Sequence, residues 1–481
     1  MCVKDNAHFF MPDAMETTVS ENQTRAPLWR RIISSSLLSE RAITLSTIVV
    51  ATGFFASKIL GLVRVRLTAQ AFGTSAPYDA FRVANTFSDM LDSVIAGATI
   101  AAVFIPVFSS YLVKDEHERR EGWKFASAVL NDMFLLVTAA ACVGMIFAPQ
   151  LINYFIAPGF GPAQSALAAS LMRIVLIAAI VFGVSGTITG ILHAQNRFVL
   201  AAMASPLNNI GVILAVIFLV PTMGIFGLAW GVVFGSLLHL GIQIPGLVRA
   251  GMIWFATLGL GRGELHQSMR ELLRLLGPRI VTTNLGSLTR LLMNNFASFL
   301  MVGSIAALDY AYLLWQFPET LIGTAIAVAV FPRLAQRVAA NDRRGFQRLY
   351  RLALVTILAL AIPSALVAII FAQPIVSLIL KSGAFDAEST TLVAGVLQFY
   401  ALAIVGEAVL ELVARVFYAN RDSKTPMFVA IGAMVLRIAL MLGWRETLGA
   451  GGLALAYAVT VCVEASVLWF LSQRRFMREN L

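Results

Sequence analysis

Twelve stretches of about 20 mostly apolar residues follow one another along this chain, and that succession limits its fold more than any single motif. They cover roughly 42–63, 79–112, 125–148, 165–192, 199–221 and 224–247, then 279–302, 304–332, 350–372, 389–418, 426–444 and 451–472. Runs of this length cross a bilayer as helices, because lipid offers backbone N–H and C=O groups no partners. With 58% hydrophobic and 13% charged residues, the composition excludes a soluble globular domain and predicts an all-α polytopic membrane protein of twelve transmembrane helices.

The polar segments organise those spans. Residues 1–41 hold no long apolar run and are expected to form a cytoplasmic tail, with 473–481 as a second one. Residues 248–278 carry Arg249, Arg262, Arg270 and Arg274 and include RGELHQSMRELLRLL, an amphipathic pattern suited to a cytoplasmic linker on the membrane surface. It would separate a six-helix bundle at 42–247 from another at 279–472. Lys and Arg concentrate in the tails and every second loop, while the alternate loops hold only Arg64, Arg66, Lys381 and Arg445. The positive-inside rule then places both termini in the cytoplasm. The same asymmetry accounts for the net charge of +10, which points to a basic face over anionic lipid and not to nucleic acid. Cys2, Cys142 and Cys462 are scattered, and HExxH, Walker and CxxC patterns are absent. No metal, cofactor or disulfide is expected, and without a convergent acid/base constellation the chain does not read as an enzyme.

An internal repeat divides the sequence. GATIAAVFIP, ending at Pro106, resembles GTAIAVAVFP, ending at Pro332, at a spacing of 226, and the turn at Asn196-Arg197 resembles that at Asn420-Arg421 at 224. The spacing also carries Arg64 onto Arg290 and Gly159-Phe160 onto the SGAF stretch at Gly383, and GLA at 227–229 matches GLA at 452–454. Six is even, so both halves enter the membrane from the same side, related by an axis along its normal with a cavity between them.

Polar residues predict what lines that cavity. On a helix turning 100° per residue, Asp79, Arg82, Asn85, Thr86, Ser88, Asp89, Asp92 and Ser93 fall within a half circle, and the opposite face is mostly apolar. Charges within a span cost about 2.5–3.5 kcal/mol or more and face a bundle interior or water-filled space. Helix seven repeats the pattern with Asn284, Ser287, Arg290, Asn294, Asn295 and Ser298. Lys58, Arg64 and Arg290 are the cations expected to give the chamber a positive lining able to hold phosphate, which guanidinium binds in a fork and ammonium as a point charge. Arg82 is expected to clamp Asp79 or Asp89. Glu407, Glu411 and Arg415 stand four apart, a ladder of internal ion pairs. Gly61, Gly97, Pro106, Gly323 and Pro332 interrupt long helices and are candidate hinges.

The run ASKILGLVRVRLTAQAFGTSAPYDAF, the segments GATIAAVFIPVFSSYL and FPETLIGTAIAVAVFPRL, and SGAFDAEST followed by VARVFYANRDSKTP resemble the MurJ/MviN lipid II flippase family, part of the multidrug/oligosaccharidyl-lipid/polysaccharide exporter superfamily. The similarity spans about residues 42 to 472. It implies a carrier in the bacterial inner membrane that turns an undecaprenyl-diphosphate-linked saccharide, the peptidoglycan precursor lipid II, between leaflets by alternating access. It implies diphosphate or head-group contacts at Lys58, Arg64 and Asp79. The chain also departs from the family's pattern: Leu91 and Asp92 stand where the family places an Arg pair, Ala96 replaces a Glu, and Tyr312-Leu313 replaces an Asp-Arg pair. Those departures keep open a different prenyl-linked saccharide or a homologue that no longer transports.

Overall fold

A computed structural model describes residues 52–53, 55–95, 104–105, 107–111, 116–259 and 285–477. The expected N-terminal tail, Gly97, Pro106, Asn284, residues 260–278 of the linker and 478–481 lie outside them.

Among the described residues the secondary structure is helical, without strands. The first half comprises α1 (55–72), α2 (Ala76–Ile95), α3 (Glu116–Ile146), α4 (Pro162–Ala194), α5 (Phe198–Phe218) and α6 (Ile225–Gly241). The second comprises α7 (Leu285–Ala297), α8 (Ser304–Glu319), α9 (Ala325–Ala339), α10 (Arg343–Ile370), α11 (Ala372–Leu380), α12 (Ala387–Ala419) and α13 (Lys424–Ser472). Among the described residues, eight helical segments are long and apolar enough to cross a membrane, counting α8–α9 and α13 as one each. The α13 segment divides at Gly449, whose φ of 56° and ψ of −137° no helix contains. Its two parts match the expected runs at 426–444 and 451–472.

The repeat is written in the backbone. Helices α4 and α12 each have 33 residues and start and end 225 positions apart. Gly224 (φ 58°, ψ −134°) breaks the chain between α5 and α6 just as Gly449 breaks α13, again at 225. Left-handed residues Asn196 and Arg421 close α4 and α12 with matching terminal bonds, Arg197 N–H to Leu192 O and Asp422 N–H to Phe417 O. The turn therefore repeats at 225, one position from the sequence alignment.

Local chemistry sets the other boundaries. Pro162 opens α4, where a missing N–H costs nothing. Asp342 and Asp386 cap α10 and α12 by accepting the backbone N–H groups of Gly345 and Ser389. Among the candidate hinges, Gly323 lies in a π turn (Thr320–Thr324) joining α8 to α9, Pro332 lies within α9 without ending it, and Gly61 lies within α1. Buried Ala168, Ala169, Ala178, Ala179 and Gly183 on α4, and Ala394, Ala401, Ala403 and Gly406 on α12, make these the central helices, since small side chains let neighbouring backbones approach.

The described part of the linker, residues 248–259, precedes the amphipathic run at 262–276, which lies outside the described residues. After the short turn Ile244–Arg249 and Gly251 (φ 73°), residues 252–258 are not helical. They lie along α3, where Asn131 Nδ2 donates to the carbonyls of Phe255 (2.9 Å) and Thr257 (2.8 Å), Ser127 Oγ accepts from Phe255 N–H (3.2 Å), and Asp132 accepts from Gly259 N–H (3.0 Å). Polar side chains on α3 satisfy the backbone of this stretch.

Candidate functional site

A cavity of about 380 Å³ opens between the halves, walled by α1, α2, α4, α5, α6, α7, α8 and α12. Helix α2 contributes Tyr78, Phe81, Arg82, Asn85, Thr86, Ser88, Asp89 and Asp92, one face of the wheel as expected. Arg64, Val65 and Thr68 come from α1, Ser287, Arg290, Met293 and Asn294 from α7, and Asp309, Tyr312 and Gln316 from α8. Of the stripe expected on α7, Ser287, Arg290 and Asn294 line this space, while Asn295 donates to Phe155 O and Ser298 accepts from Gly159 N–H outside it.

Arg64 and Arg290 reach the cavity from opposite halves, and neither forms an ion pair among the described residues. Arg82 is committed elsewhere: its Nη2 lies 2.6 Å from Oδ1 of Asp309 on α8, so the clamp joins the two halves and is not the expected bond within α2. Tyr78 Oη also donates to Asp309 (3.3 Å). Asn294 Nδ2 donates to Thr86 Oγ1 across the same seam at 2.7 Å.

Asp79 does not line the cavity. It is buried, with Oδ2 accepting the N–H of Gly303 at 2.6 Å and Oδ1 that of Ala306 at 2.7 Å. The carboxylate caps α8 from the other half, its charge meeting the positive end of that helix dipole. The expected head-group contact at Asp79 is replaced by this latch. Lys58 is also absent from the lining. It precedes Arg64 by six residues, about 9 Å along the helix axis, is exposed, and its charge acts on Glu319 instead.

The latch belongs to a wider seal at that end. Thr74 and Ser389 share a hydroxyl hydrogen bond of 2.9 Å, Tyr310 Oη donates to Gly73 O, Ala384 N–H to Gln70 O, and Gly159 N–H to Ser298 Oγ. Gly303 has φ of 88°, and a Cβ there would sit 2.5 Å from Thr74 O, so only glycine allows the approach.

The lining corrects a further expectation, that of a positive chamber. Arg64, Arg82 and Arg290 stand against Asp89, Asp92 and Asp309, which leaves the formal charge balanced. Tyr78, Asn208 and Gln316 line the cavity beyond the residues expected there, and Tyr312 and Leu313, which stand in place of the family's Asp-Arg pair, line it too. Gln316 lies two turns after Asp309 on one helix face and Asn208 interrupts an apolar run, so both carried a usable signal, whereas the tyrosines did not.

Deeper in the second half, Arg437 is buried, donating to Thr460 and Thr289 hydroxyls (2.9 Å each) with its guanidinium over the Tyr457 ring at 4.6 Å. The expected ladder holds for Glu411 and Arg415, which pair, while Glu407 accepts from Tyr457 Oη.

A family profile described as lipid II flippase MurJ matches residues 68–480. The chain is 29% identical over 423 residues to lipid II flippase MurJ of Burkholderia cenocepacia, covering 87% of this chain and 81% of the relative. It is 26% identical to a probable lipid II flippase MurJ of Thermotoga maritima, covering 86% and 82%. Among solved structures, a lipid II flippase MurJ in an inward closed conformation superposes with a TM-score of 0.78 at 26% identity, covering 89% of this chain and 87% of that one. An inward-facing multidrug resistance MATE family transporter of the MOP superfamily shares the fold, with a TM-score of 0.73 at 14% identity over 88% and 94%.

Proposed function

Since the chain belongs to the MurJ family of lipid II flippases, we propose that it carries lipid II across the bacterial cytoplasmic membrane by alternating access, with Arg64 and Arg290 taking the diphosphate. The observation that carries the assignment of residues is the pair of guanidinium groups that face one cavity from opposite halves without ion-pair partners among the described residues. Charge-assisted hydrogen bonds to a phosphate hold it after dehydration, and Arg binds it in a fork that fixes its orientation. The prenyl tail stays in lipid, while the sugar–peptide head occupies the hydrated space.

The sealed end is read as periplasmic. Its connections are the loops poor in Lys and Arg, which also places both termini in the cytoplasm. In that state the head group enters from the cytoplasmic side. Release outward requires the Asp79 latch, the Arg82–Asp309 pair and the Thr74–Ser389 bond to part together.

The test is transport of fluorescent lipid II in proteoliposomes. Arg64→Ala and Arg290→Ala are each expected to slow flipping at least about tenfold, the equivalent of one charge-assisted hydrogen bond, with normal membrane insertion. Wild-type rates in both variants would overturn the diphosphate assignment. The balanced lining favours a second reading, a different undecaprenyl-diphosphate saccharide, and substituting such lipids in the same assay separates the two.

A further inference from the structure

The diphosphate reading leaves the other charge of the cavity without a task. Asp89 and Asp92 stand one helical turn apart on α2, and neither forms an ion pair among the described residues. Asp89 lies in the field of Arg82, Arg290 and Arg64, whereas the charge acting on Asp92 is that of Asp89 alone. Oδ1 of Asp92 is buried without a hydrogen-bond partner. Two side chains beside it also lack a hydrogen-bond partner. Ser88, one turn before Asp92, is 4% exposed and Ser287 is 3% exposed; both line the cavity, and neither hydroxyl has a partner among the described residues.

The register of α2 and α7 brings these groups to one level. Asn294 meets Thr86, while Gly303, nine residues later, meets Asp79, seven residues earlier, so the two helices run antiparallel. Counting seven residues from Asn294 to Ser287 and seven from Thr86 along α2 sets Ser287 opposite Asp92 and Ser93. By the same count Arg290 lies opposite Asp89 and Met90, roughly 5 Å nearer the seal. By this count Asp89 and Ser88 stand at the level of the Arg290 guanidinium, and Asp92 with Ser287 lies beyond them, at the end away from the Asp79 latch.

A buried carboxylate oxygen without a partner costs free energy until something donates to it, and the two unpaired hydroxyls at the cavity wall are free to accept beside it. An alkylammonium carries three N–H donors and one positive charge, which matches three acceptors and one negative charge. We infer that the end of the cavity around Asp92, with the Ser287 and Ser88 hydroxyls beside it, is an ammonium site, which receives a protonated primary amine on the head group of the lipid whose diphosphate Arg64 and Arg290 hold. The inference rests on the lipid-flippase reading above and narrows its substrate class to head groups that are zwitterionic. A substrate bearing phosphate alone would meet the guanidinium groups and leave the charge of Asp92 uncompensated.

The experiment compares two lipids in proteoliposomes holding the full chain: lipid II with a free primary amine on its peptide, and the same lipid N-acetylated at that amine, which keeps the diphosphate and removes the cation. Wild-type protein is expected to flip the amine form about tenfold or more faster at subsaturating lipid, the difference one charge-assisted hydrogen bond makes. Asp92→Asn is expected to close that gap, and Asp92→Glu to retain it, with thermal melting in detergent reporting that each variant is folded. Equal flipping of both lipids by the wild type would overturn the ammonium site while leaving the flippase intact. Failure to flip either lipid would overturn the flippase reading itself. A gap that survives Asp92→Asn, or a dependence on Na+ over choline that is the same for both lipids and vanishes in Asp92→Asn, would also overturn the inference, the latter by assigning the site to an inorganic cation.

Discussion

Replacing Asp79 with Asn tests whether the carboxylate that caps α8 holds the seal closed. The side chain accepts two backbone N–H groups, from Gly303 and Ala306, both across the interface between halves. Each charge-assisted bond contributes about 1.5–3 kcal/mol, and the charge gains a further fraction of a kcal/mol or more from the helix dipole. Asn keeps one acceptor oxygen but turns an NH2 towards the other donor, so one bond is lost and one buried N–H is left unpaired. The closed state should lose about 2–4 kcal/mol, an opening constant raised roughly 25- to 700-fold. Ser389 reports the change, because it is buried and bonded to Thr74 across the seal. In a background with Cys2, Cys142 and Cys462 replaced, the rate at which a water-soluble maleimide labels Ser389→Cys follows the opening constant even when the open form is scarce. Adding Asp79→Asn should accelerate labelling by that factor while the helical content stays constant. A change below about twofold would mean that the seal holds without the latch, and the bond strengths used here would be wrong for this interface.

Three other outcomes follow from the same structure. Gly303→Ala forces a side chain into φ of 88° against Thr74 O and should weaken closure by about 1–3 kcal/mol, read by the same labelling rate. Arg437→Met removes the bonds to Thr289 and Thr460, and with them about 1–3 kcal/mol, which should lower the thermal midpoint in detergent by several degrees while the cavity lining is untouched. At the start of α12, the Ser389 backbone N–H holds the Asp386 carboxyl below the usual carboxylate range, helped by the Ser389 hydroxyl. A depressed carboxylate contributes stability that is present above its unfolded pKa and lost as pH falls through the lower folded value. Protection of the amides in the first turn of α12, the exchange rate taken relative to its intrinsic value at each pH, should therefore be steady from about pH 7 to about pH 5 and fall only below about pH 4, and Asp386→Ala should abolish that dependence.

What the sequence discloses and what it conceals divide along physical lines. Periodicity assigns the face of α2 correctly, because a stripe of Arg82, Asn85, Asp89 and Asp92 within an apolar chain has nowhere to go but a wet interior. The same rule finds Ser287, Arg290 and Asn294. It fails for Asp79, which shares that face but lies so near the helix start that it meets a backbone instead of the cavity. Its partners are 224 and 227 residues away, and a backbone N–H carries no residue-type signature. It fails for Arg82 in the same manner: Asp309 competes with Asp89 for the guanidinium and wins through a contact between halves that local spacing cannot anticipate. Lys58 was misplaced because charge within a span was equated with the cavity, whereas its depth along α1 sets it beyond the lining. Side chains of α3 hold the path of residues 252–258, contacts more than a hundred residues away in sequence that no local pattern announces.

The repeat explains why Arg64 and Arg290 differ from every other charge in the cavity. Helices, glycine breaks and terminal turns recur at 225, so the two halves share one backbone plan. The cavity charges mostly do not recur: a spacing of 226 carries Arg82 to Leu308, Asp89 to Trp315 and Asp92 to Pro318. Arg64 alone falls on another cation, Arg290, and both line the cavity. Two groups related by the repeat that line one cavity would, on the proposed reading, hold a group that presents similar chemistry to both halves. A diphosphate does so, being two phosphoryl groups joined through one oxygen, whereas sugars, peptide and prenyl chain have no such symmetry and belong to the unmatched surfaces. The charges that break the repeat, Asp89 and Asp92 foremost, are then the ones free to distinguish one head group from another, because the common anchor cannot.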